Sequence, residues 1–162
     1  MTELGTVDPD ELRRAMRAFG SGVCVVTSRS RTGEPVGMTV SAFFSVSLAP
    51  PLIVVSLYRE AQTTRVIAEA GSFAVNILAE DQEGLSRRFA ARDMDRFAGI
   101  SWQDGAGGSP LLDGAVAHIE CTVDAAFPGG DHDLVLGRVG FARRYHGRPL
   151  LYHDGGYHRL PG

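Results

Sequence analysis

The chain has 162 residues, of which 19 are acidic and 16 are basic, and every basic residue is an arginine. A Schiff-base lysine, a P-loop lysine and a lysine general base are excluded, because each requires a side chain that this chain lacks. The formal net charge of −3, without a basic block, argues against a nucleic-acid-binding protein. The length and a hydrophobic share of 44% are typical of one globular domain spanning residues 1–162.

The first half of the chain predicts one helix and then a run of strands. Residues 8–11 (DPDE) are typical of a helix start, Gly20 ends the helix, and Leu12, Met16 and Phe19 share one of its faces. Apolar and β-branched runs between turn residues predict four strands, at 22–28, 36–40, 41–48 and 52–57.

The second half predicts two short helices, at 61–70 and 82–91, with a strand at 73–78 between them and a loop at 99–114. Apolar and polar residues alternate from 117 to 125, which predicts a strand with one wet face that includes His118 and Glu120. Residues 127–131 (FPGGD) predict a turn and 132–145 the returning strand of a hairpin. A final short strand is predicted at 150–153, with the tail around Tyr157.

Strands outnumber helices, most connections are tight turns, and neither a βαβ rhythm nor an internal repeat is present. This pattern predicts a mainly β fold, namely a closed antiparallel barrel with a few helices packed outside it.

The cysteines and the apolar segments indicate the compartment. Cys24 and Cys121 belong to no CxxC motif, which argues against a disulfide scaffold and a zinc site. The longest strongly apolar stretch, 52–57, is far too short to cross a bilayer, and no charged-then-apolar leader precedes it. We therefore expect a cytoplasmic protein with no membrane segment and no metal, in which both thiols are buried and reduced.

Several familiar catalytic motifs are missing from the sequence. Neither G-x-S-x-G nor H-E-x-x-H occurs, and the five histidines have no spacing that places two of them on one helical face. Residues 20–22 (GSG) lack the third glycine of a dinucleotide-binding loop and precede a strand instead of joining a strand to a helix. Hydrolase, zinc-enzyme and Rossmann-type functions therefore have no support.

Three segments remain as candidates for a site, each with a plainer alternative. Residues 37–43 (GMTVSAF) place hydroxyl groups at the end of a strand, or form only a polar strand end. Residues 56–64 (SLYREAQTT) lead into a helix, where free N–H groups, threonine hydroxyls and Arg59 suit a phosphate; the alternative is an ordinary capped helix with a solvated Arg59. His132 follows a glycine turn, either as a catalytic group or as a plain turn residue.

Seven short stretches occur in a characteristic order: 18–23 (AFGSGV), 37–43 (GMTVSAF), 45–52 (SVSLAPPL), 73–78 (FAVNIL), 88–90 (RFA), 111–115 (LLDGA) and 130–132 (GDH). Each is weak alone, but the ordered set is specific. It resembles the short-chain flavin reductases, which are the reductase components of two-component flavin monooxygenases. The resemblance runs from about Leu12 to Tyr157 and implies the flavin-binding split-barrel fold, a form of the predicted closed barrel.

The resemblance also implies a place for each part of the ligands. The flavin ring would lie against Met38, Thr39, Val40, Ser41 and Ala42, with Ser56 and Leu57 beside it. The phosphate side of the flavin would be held by Arg59, Thr63, Thr64, Arg88 and Phe89. The catalytic residue would be His132, near the nicotinamide, and the cofactor pocket would be completed by Tyr152 and Tyr157. One departure is the segment 59–62 (REAQ), where family members often have a serine between the basic residue and the helix.

The implied activity is NADH-dependent flavin reduction, in which NADH, in preference to NADPH, reduces FAD or FMN. The free reduced flavin would then pass to a separate monooxygenase, in biosynthesis or aromatic oxidation, and the reductase would be a homodimer. Because the cofactor supplies the reactive centre, no strong acid or nucleophile is required of the protein. The rival functions are a flavin- or haem-binding barrel without NADH oxidation, a pyridoxamine-phosphate-oxidase-like enzyme, and a barrel that only mediates protein contacts.

Overall fold

The computed structural model describes residues 5–161 and shows a mainly β protein with three short helices. The helices are α1 (Pro9–Met16), α2 (Gln62–Ala70) and α3 (Glu83–Ala90). The strands are β1 (Ser21–Gly22), β2 (Cys24–Arg29), β3 (Pro35–Val40), β4 (Phe43–Leu48), β5 (Pro51–Tyr58), β6 (Ser72–Ile77), β7 (Trp102–Asp104), β8 (Pro110–Leu112), β9 (Ala117–Gly129), β10 (His132–Arg144), β11 (Leu151–His153) and β12 (Gly156–His158). Within the described range, no helix is long and apolar enough to cross a membrane.

Seven strands form the main sheet, in the order β3-β2-β6-β9-β10-β5-β4, and every neighbouring pair is antiparallel. The predicted closed barrel is not confirmed, because no hydrogen-bonded ladder joins the edge strands β3 and β4 within residues 5–161. Only Ser41 and Ala42 separate these two strands along the chain, so the edges are linked covalently. The sheet still curls around one core, since Val40 of β3 and Val55 of β5 lie in the same apolar cluster.

The sheet is buried on both faces in its central part. Alternate residues of β2 divide between two clusters: Val26 lies in the inner one, with Leu57, Phe73 and Ile67 of α2, whereas Val25 lies in the outer one. The outer cluster is covered by α3 and by the segment that leads to β8. A strand buried on both sides reads as a continuous apolar run, which is the pattern of residues 23–26.

The segment 99–114, predicted as a loop, contains the hairpin β7–β8, so that prediction is wrong in part. The guanidinium of Arg29 lies 5.0 Å above the ring of Trp102, pairs with Asp104 and donates a 3.0 Å bond from Nε to the carbonyl of Gly108. Contacts with Arg29 of β2 therefore order this segment. Such long-range contacts cannot be predicted from the glycines and serines of the segment alone.

The wet face predicted for β9 is also wrong at two positions. His118 and Glu120 are only 4% and 6% exposed. Nε2 of His118 donates to the carbonyl of Leu112 at 2.9 Å, and the carboxylate of Glu120 accepts from the N–H groups of Gly107 at 2.8 Å and Ala106 at 3.2 Å. The β7–β8 hairpin thus covers a polar strand face, and its backbone satisfies the buried side chains.

The hairpin that carries His132 is tighter than predicted. Residues 127–129 belong to β9 and His132 begins β10, so the turn consists of Gly130 and Asp131 alone. Gly130 has φ = +73°, a conformation that favours glycine. This turn places His132 opposite Tyr58 of β5.

Helix α1 begins as predicted, with the Asp8 carboxylate accepting a 2.8 Å bond from the N–H of Asp10. Its apolar face is not packed on the sheet, because α1 has no buried residue and Leu12, Met16 and Phe19 are all exposed.

Candidate functional site

A large cleft, with a volume of about 700 Å³, lies between three chain segments. One wall is the start of β3, at 35–37. The second is the junction of β5 and α2, at Tyr58, 60–63 and Arg65, and the third is the loop 92–97. Two of the predicted site segments therefore border one pocket, and the loop 92–97 joins them.

The N-terminus of α2 forms part of this pocket. Its N-cap residue is Ala61, which supplies no side-chain hydrogen bond to the first turn. The free N–H groups at a helix start carry a partial positive charge and favour an anionic ligand. Thr63 lies in the same wall and is 1% exposed, whereas the hydroxyl of Thr64 donates a 2.7 Å bond to the carbonyl of Tyr58. Thr63 thus faces the pocket, and Thr64 supports its rim.

The third wall contains a half-buried cation that the sequence reasoning missed. Arg96 donates from Nε (2.9 Å) and Nη2 (2.6 Å) to the carbonyl of Ala91, and from Nη1 (2.7 Å) to the carbonyl of Gly37. These contacts use three of the five N–H groups of the guanidinium. Burial lowers the pKa of Arg96, yet an arginine remains charged at neutral pH. The pocket wall therefore holds a fixed positive charge.

Arg88 and Phe89, predicted on the phosphate side, lie behind this wall. Arg88 donates from Nε to the carbonyl of Arg96 (2.8 Å) and from Nη2 to the carbonyls of Asp95 (3.0 Å) and Ala98 (2.5 Å). Phe89 is fully buried and packs edge-on against Phe97, with ring centroids 5.0 Å apart. Their contacts hold the loop 92–97 against the sheet.

The sequence contains the dipeptide Arg-Phe twice, at 88–89 and at 96–97. Only the first was predicted to be functional, although the second lines the pocket. The repeated dipeptide is the signal from which Arg96 could have been found. Tyr58 was also missed, because the alternation of a strand does not by itself identify the face that borders a cleft.

The segment predicted to line the flavin ring has two faces. Met38 and Val40 point into the inner cluster, whereas the hydroxyl of Thr39 donates a 2.7 Å bond to the carbonyl of Ser86 in α3. The next two residues, Ser41 and Ala42, are exposed.

Farther along, Ser56 is half-buried and donates its N–H to the carbonyl of Ala42 at 3.0 Å, and Leu57 is fully buried. The exposed part of the segment is thus 41–42, between the two sheet edges, where both carbonyls accept backbone hydrogen bonds.

The two tyrosines predicted for the cofactor pocket lie on the far side of α3. The hydroxyl of Tyr157 is 2.8 Å from Oγ of Ser86, and its ring meets the ring of Tyr152 with centroids 5.3 Å apart. Arg87 lies 4.9 Å above the ring of Tyr157. A hydrogen-bond path therefore runs from Thr39 through Ser86 to Tyr157, but neither tyrosine lines the large cleft.

The catalytic candidate His132 lies at the edge of the cleft. It does not line the cleft itself but contacts Tyr58, which does. Its imidazole meets the ring of Tyr58 edge-on, with centroids 5.7 Å apart, and Tyr58 lines the cleft. Nδ1 of His132 is 2.7 Å from Oδ1 of Asp131. This hydrogen bond is the main reason why the pKa of Asp131 is lower than usual, and the charge of Arg59 acts in the same direction. A carboxylate on Nδ1 favours the tautomer that leaves Nε2 as an acceptor.

These features define a β-sheet protein with a large cleft that is bordered by a helix N-terminus and an arginine, and with a histidine near its edge. The flavin reductase-like domain model matches residues 16–161, so the chain belongs to the flavin reductase-like family. The family predicted from the ordered motifs is thereby confirmed.

The chain is similar over nearly its whole length to named reductases. It is 44% identical over 161 residues to a flavin reductase (NADH) of Kitasatospora aureofaciens, covering 97% of this chain and 84% of the relative. It is 38% identical over 152 residues to the reductase subunit HsaB of a flavin-dependent monooxygenase from Rhodococcus jostii, covering 93% and 77%.

A solved structure of the same fold is the NADH:FAD oxidoreductase SgcE6 of Streptomyces globisporus in complex with NAD and FAD fragments. It superimposes with a TM-score of 0.90 at 37% identity, covering 98% of each chain.

Proposed function

We propose that this chain is an NADH-dependent flavin reductase that supplies reduced flavin to a separate flavin-dependent monooxygenase. The observation that carries the proposal is the cleft in which residues 35–37 and the start of α2 meet the loop 92–97, with His132 near its edge, in a chain of the flavin reductase-like family. Relatives that are 44% and 38% identical to this chain over the aligned residues carry the names of an NADH flavin reductase and of a monooxygenase reductase subunit.

Three groups in the walls of the cleft support a site for the phosphate of a flavin nucleotide. The uncapped start of α2, the Thr63 side chain and the guanidinium of Arg96 all lie in its walls. Backbone N–H groups and an arginine are the usual partners of a phosphate, and this chain has no lysine for that task. We assign the phosphate to these three groups, with Arg88 and Phe89 holding the loop that carries Arg96.

We assign the ring system of the flavin to the exposed backbone at 41–42 and its neighbour Ser56. When it is bound there, the flavin supplies the group that accepts hydride from NADH. The chain's own part is to orient the two ligands, to donate hydrogen bonds to the ring, and to keep His132 beside the nicotinamide. Neither Tyr152 nor Tyr157 touches the cleft, so their contribution would come through Ser86 and Thr39.

We further propose a homodimer that forms on the outer face of β4, β5, β10 and β9. Val54 of β5 lies opposite Phe44 on one side and opposite Leu136 on the other, and Leu134, two residues before Leu136, lies opposite Phe127. Because paired residues and residues two apart on a strand point to the same side of a sheet, these apolar residues share one face. Phe44, Leu134 and Phe127 are exposed in the single chain. An exposed apolar patch of this kind marks an interaction site. His132 and Tyr58 lie on the same face, so a second copy here would help to enclose the site.

FAD and FMN are both candidates for the flavin, and NADH is preferred to NADPH. A cytoplasmic location agrees with the two buried, unpaired cysteines.

The proposed function is tested by NADH oxidation with purified protein and added FAD or FMN, followed by the loss of NADH absorbance, and repeated with NADPH. Turnover with at least one flavin is expected, and the reduced flavin should restore hydroxylation by a separately purified flavin-dependent monooxygenase. The absence of turnover with either flavin would exclude the reductase function. In that case, flavin and haem titrations and an assay for pyridoxal phosphate formation would distinguish the rival functions.

A further inference from the structure

We propose that Arg59 and Asp133 form a clasp that positions His132, and that Arg59 is not a ligand of the flavin phosphate. The inference rests on the proposed function only in that it takes His132 to lie beside the nicotinamide. The clasp itself is defined by the contacts of Arg59 with residues 131–133.

Arg59 follows the last residue of β5 and bonds to three consecutive residues around His132. Its Nε and Nη2 donate to Oδ1 of Asp133 at 3.0 and 2.9 Å, and Nη2 also donates to the carbonyl of His132 at 3.3 Å. Its backbone N–H donates to the carbonyl of Asp131 at 3.0 Å. One side chain and its own peptide therefore hold the backbone on both sides of the histidine.

His132 needs such a clasp because it lies at the end of the hydrogen-bonded pairing between β5 and β10. His132 and Tyr58 are the terminal pair of β5 and β10, and the two-residue turn with Gly130 follows at once. Strand ends open more readily than strand centres, since fewer contacts oppose opening. The bond to Asp131 and the edge contact with Tyr58 orient the imidazole ring, but both depend on the position of the backbone that Arg59 holds.

The direction of Arg59 also argues against a phosphate contact. Its neighbours Tyr58 and Glu60 line the large cleft, but Arg59 does not. β5 ends at Tyr58, and in the turn that follows the side chain of Arg59 reaches towards β10, where it bonds to Asp133 and to the carbonyl of His132. In addition, the edge of its guanidinium formed by Nε and Nη2 is already engaged by the Asp133 carboxylate.

The chain offers a matched control in Arg138 and Asp124. Nε and Nη2 of Arg138 donate to Oδ1 of Asp124 at 3.0 and 2.6 Å, the same arrangement as in the clasp. The exposed side-chain fractions are 49% and 28% for Arg138 and Asp124, against 42% and 28% for Arg59 and Asp133. Arg138 also lies on β10, but six positions farther from the turn, opposite Leu52. Removal of either ion pair should therefore change the free energy of unfolding by a similar amount, but only removal of the Arg59–Asp133 pair should disturb the position of His132.

The first test compares Arg59→Gln, Asp133→Asn, the double variant and Arg138→Gln in steady-state kinetics. Loss of the clasp should raise KM for NADH about five- to tenfold in either single variant, with a smaller change in kcat. The double variant should be no worse than the singles, because both remove the same interaction. Flavin dissociation constants should stay within about twofold, and Arg138→Gln should change none of these values. Arg59→Lys should recover part of the loss, since an ammonium still reaches a carboxylate.

The second test needs neither ligand nor turnover. In a proton NMR spectrum, the resonance of the Cε1–H proton of His132 is assigned by its absence in His132→Gln. Its chemical shift should change in Arg59→Gln and remain the same in Arg138→Gln. An unmoved resonance would overturn the clasp, and so would an unchanged KM for NADH in both single variants. Weaker binding of FMN but not of riboflavin, which has no phosphate, in Arg59→Gln would make Arg59 a phosphate ligand and would also overturn it. If the wild-type protein fails to oxidise NADH with either flavin, the proposed function fails, and the proton spectrum still decides the clasp.

Discussion

Nη1 of Arg96 donates a 2.7 Å hydrogen bond to the carbonyl of Gly37, so the loop on one side of the cleft is joined directly to the sheet on the other. The same guanidinium holds the carbonyl of Ala91, at the end of α3, through two further bonds. One half-buried cation therefore sets the width of the cleft and also contributes positive charge to it. The two roles make different predictions for ligands with and without a phosphate.

Arg96→Gln should weaken the binding of FMN about tenfold, or about 1.4 kcal/mol, and weaken riboflavin much less. The reason is that riboflavin lacks the phosphate that the guanidinium would attract. Flavin fluorescence quenching measures both dissociation constants, with Arg138→Gln as the control. Equal losses for the two ligands would mean that Arg96 only shapes the cleft.

His132→Ala should raise KM for NADH by about tenfold while the dissociation constant of the flavin stays within about twofold. The imidazole lies at the edge of the cleft and contacts it only through Tyr58, so its removal leaves the phosphate side intact. Steady-state assays with NADH and flavin varied in turn separate the two effects. His153→Ala serves as a control because His153 is exposed and lies on β11. A matched loss of NADH and flavin binding would indicate a structural residue.

Gly37→Ala should destabilise the protein by about 1–3 kcal/mol, because an added Cβ would lie 2.8 Å from Cε1 of the buried Phe89 ring. The ring is fully buried and cannot swing away. Urea unfolding of the variant gives the change in free energy. Gly140→Ala, where an added Cβ meets nothing within 4 Å, is the matched control on β10. If the urea midpoint of Gly37→Ala equals that of Gly140→Ala, the Phe89 ring accommodates the added methyl group without loss of stability.

The thiols should make stability fall at high pH. Burial raises the pKa of both Cys24 and Cys121 to about 12, from an ordinary value of 9.0, and the nearby charge of Glu120 adds to the effect on Cys121. Between these values the unfolded chain has lost protons that the native chain keeps. The free energy of unfolding is therefore unaffected below about pH 9 and decreases as the pH rises towards 12.

Urea unfolding at neutral and alkaline pH, compared with Cys24→Ala and Cys121→Ala, isolates this contribution, since other titrating groups are common to all proteins in the series. The native thiols should also resist a disulfide reagent near neutral pH until the chain unfolds. Rapid labelling of the native protein would contradict the burial of both side chains.

Leu134→Glu and Phe44→Glu should each convert the proposed homodimer into monomers, because a charge would be buried in an apolar interface. Sedimentation velocity measures the mass directly. Thr32→Glu, in the exposed turn between β2 and β3, is the control. Monomeric wild-type protein would exclude the dimer, and an unaffected dimer in both variants would place its interface on another face.

Local patterns predicted the elements whose stabilising contacts are near in sequence. The DPDE start of α1 and the apolar run of β5 were found at almost their observed positions. The β7–β8 hairpin was missed because Arg29 orders it across more than seventy positions. His118 and Glu120 looked solvent-facing for the same reason, since the hairpin that covers them was unknown. Polarity along a strand indicates exposure only when nothing else packs on that face.

The family resemblance predicted the site segments better than the individual contacts. It indicated Thr63 and the start of α2, which lie in the cleft, and His132, which lies at its edge. It indicated Arg59 and Arg88, which do not line the cleft, instead of Arg96, which does, because the sequence does not show the direction of an arginine side chain. That direction depends on Asp133 for Arg59 and on the carbonyls of the loop 95–98 for Arg88. Those partners are defined only by the folded chain.

The pairing of Tyr58 with His132 also has a consequence for folding kinetics. These residues are 74 positions apart along the chain, and β5 finds β10 only after most of the polypeptide has been synthesised. Pairing over such a separation carries a high loop-closure entropy and slows folding. Any fragment of this chain that ends before His132 lacks β10, which is the strand that pairs with β5 and carries His132. Competence for the reaction should therefore appear in the last and slowest phase of refolding, after the central strands have acquired their protection from hydrogen exchange.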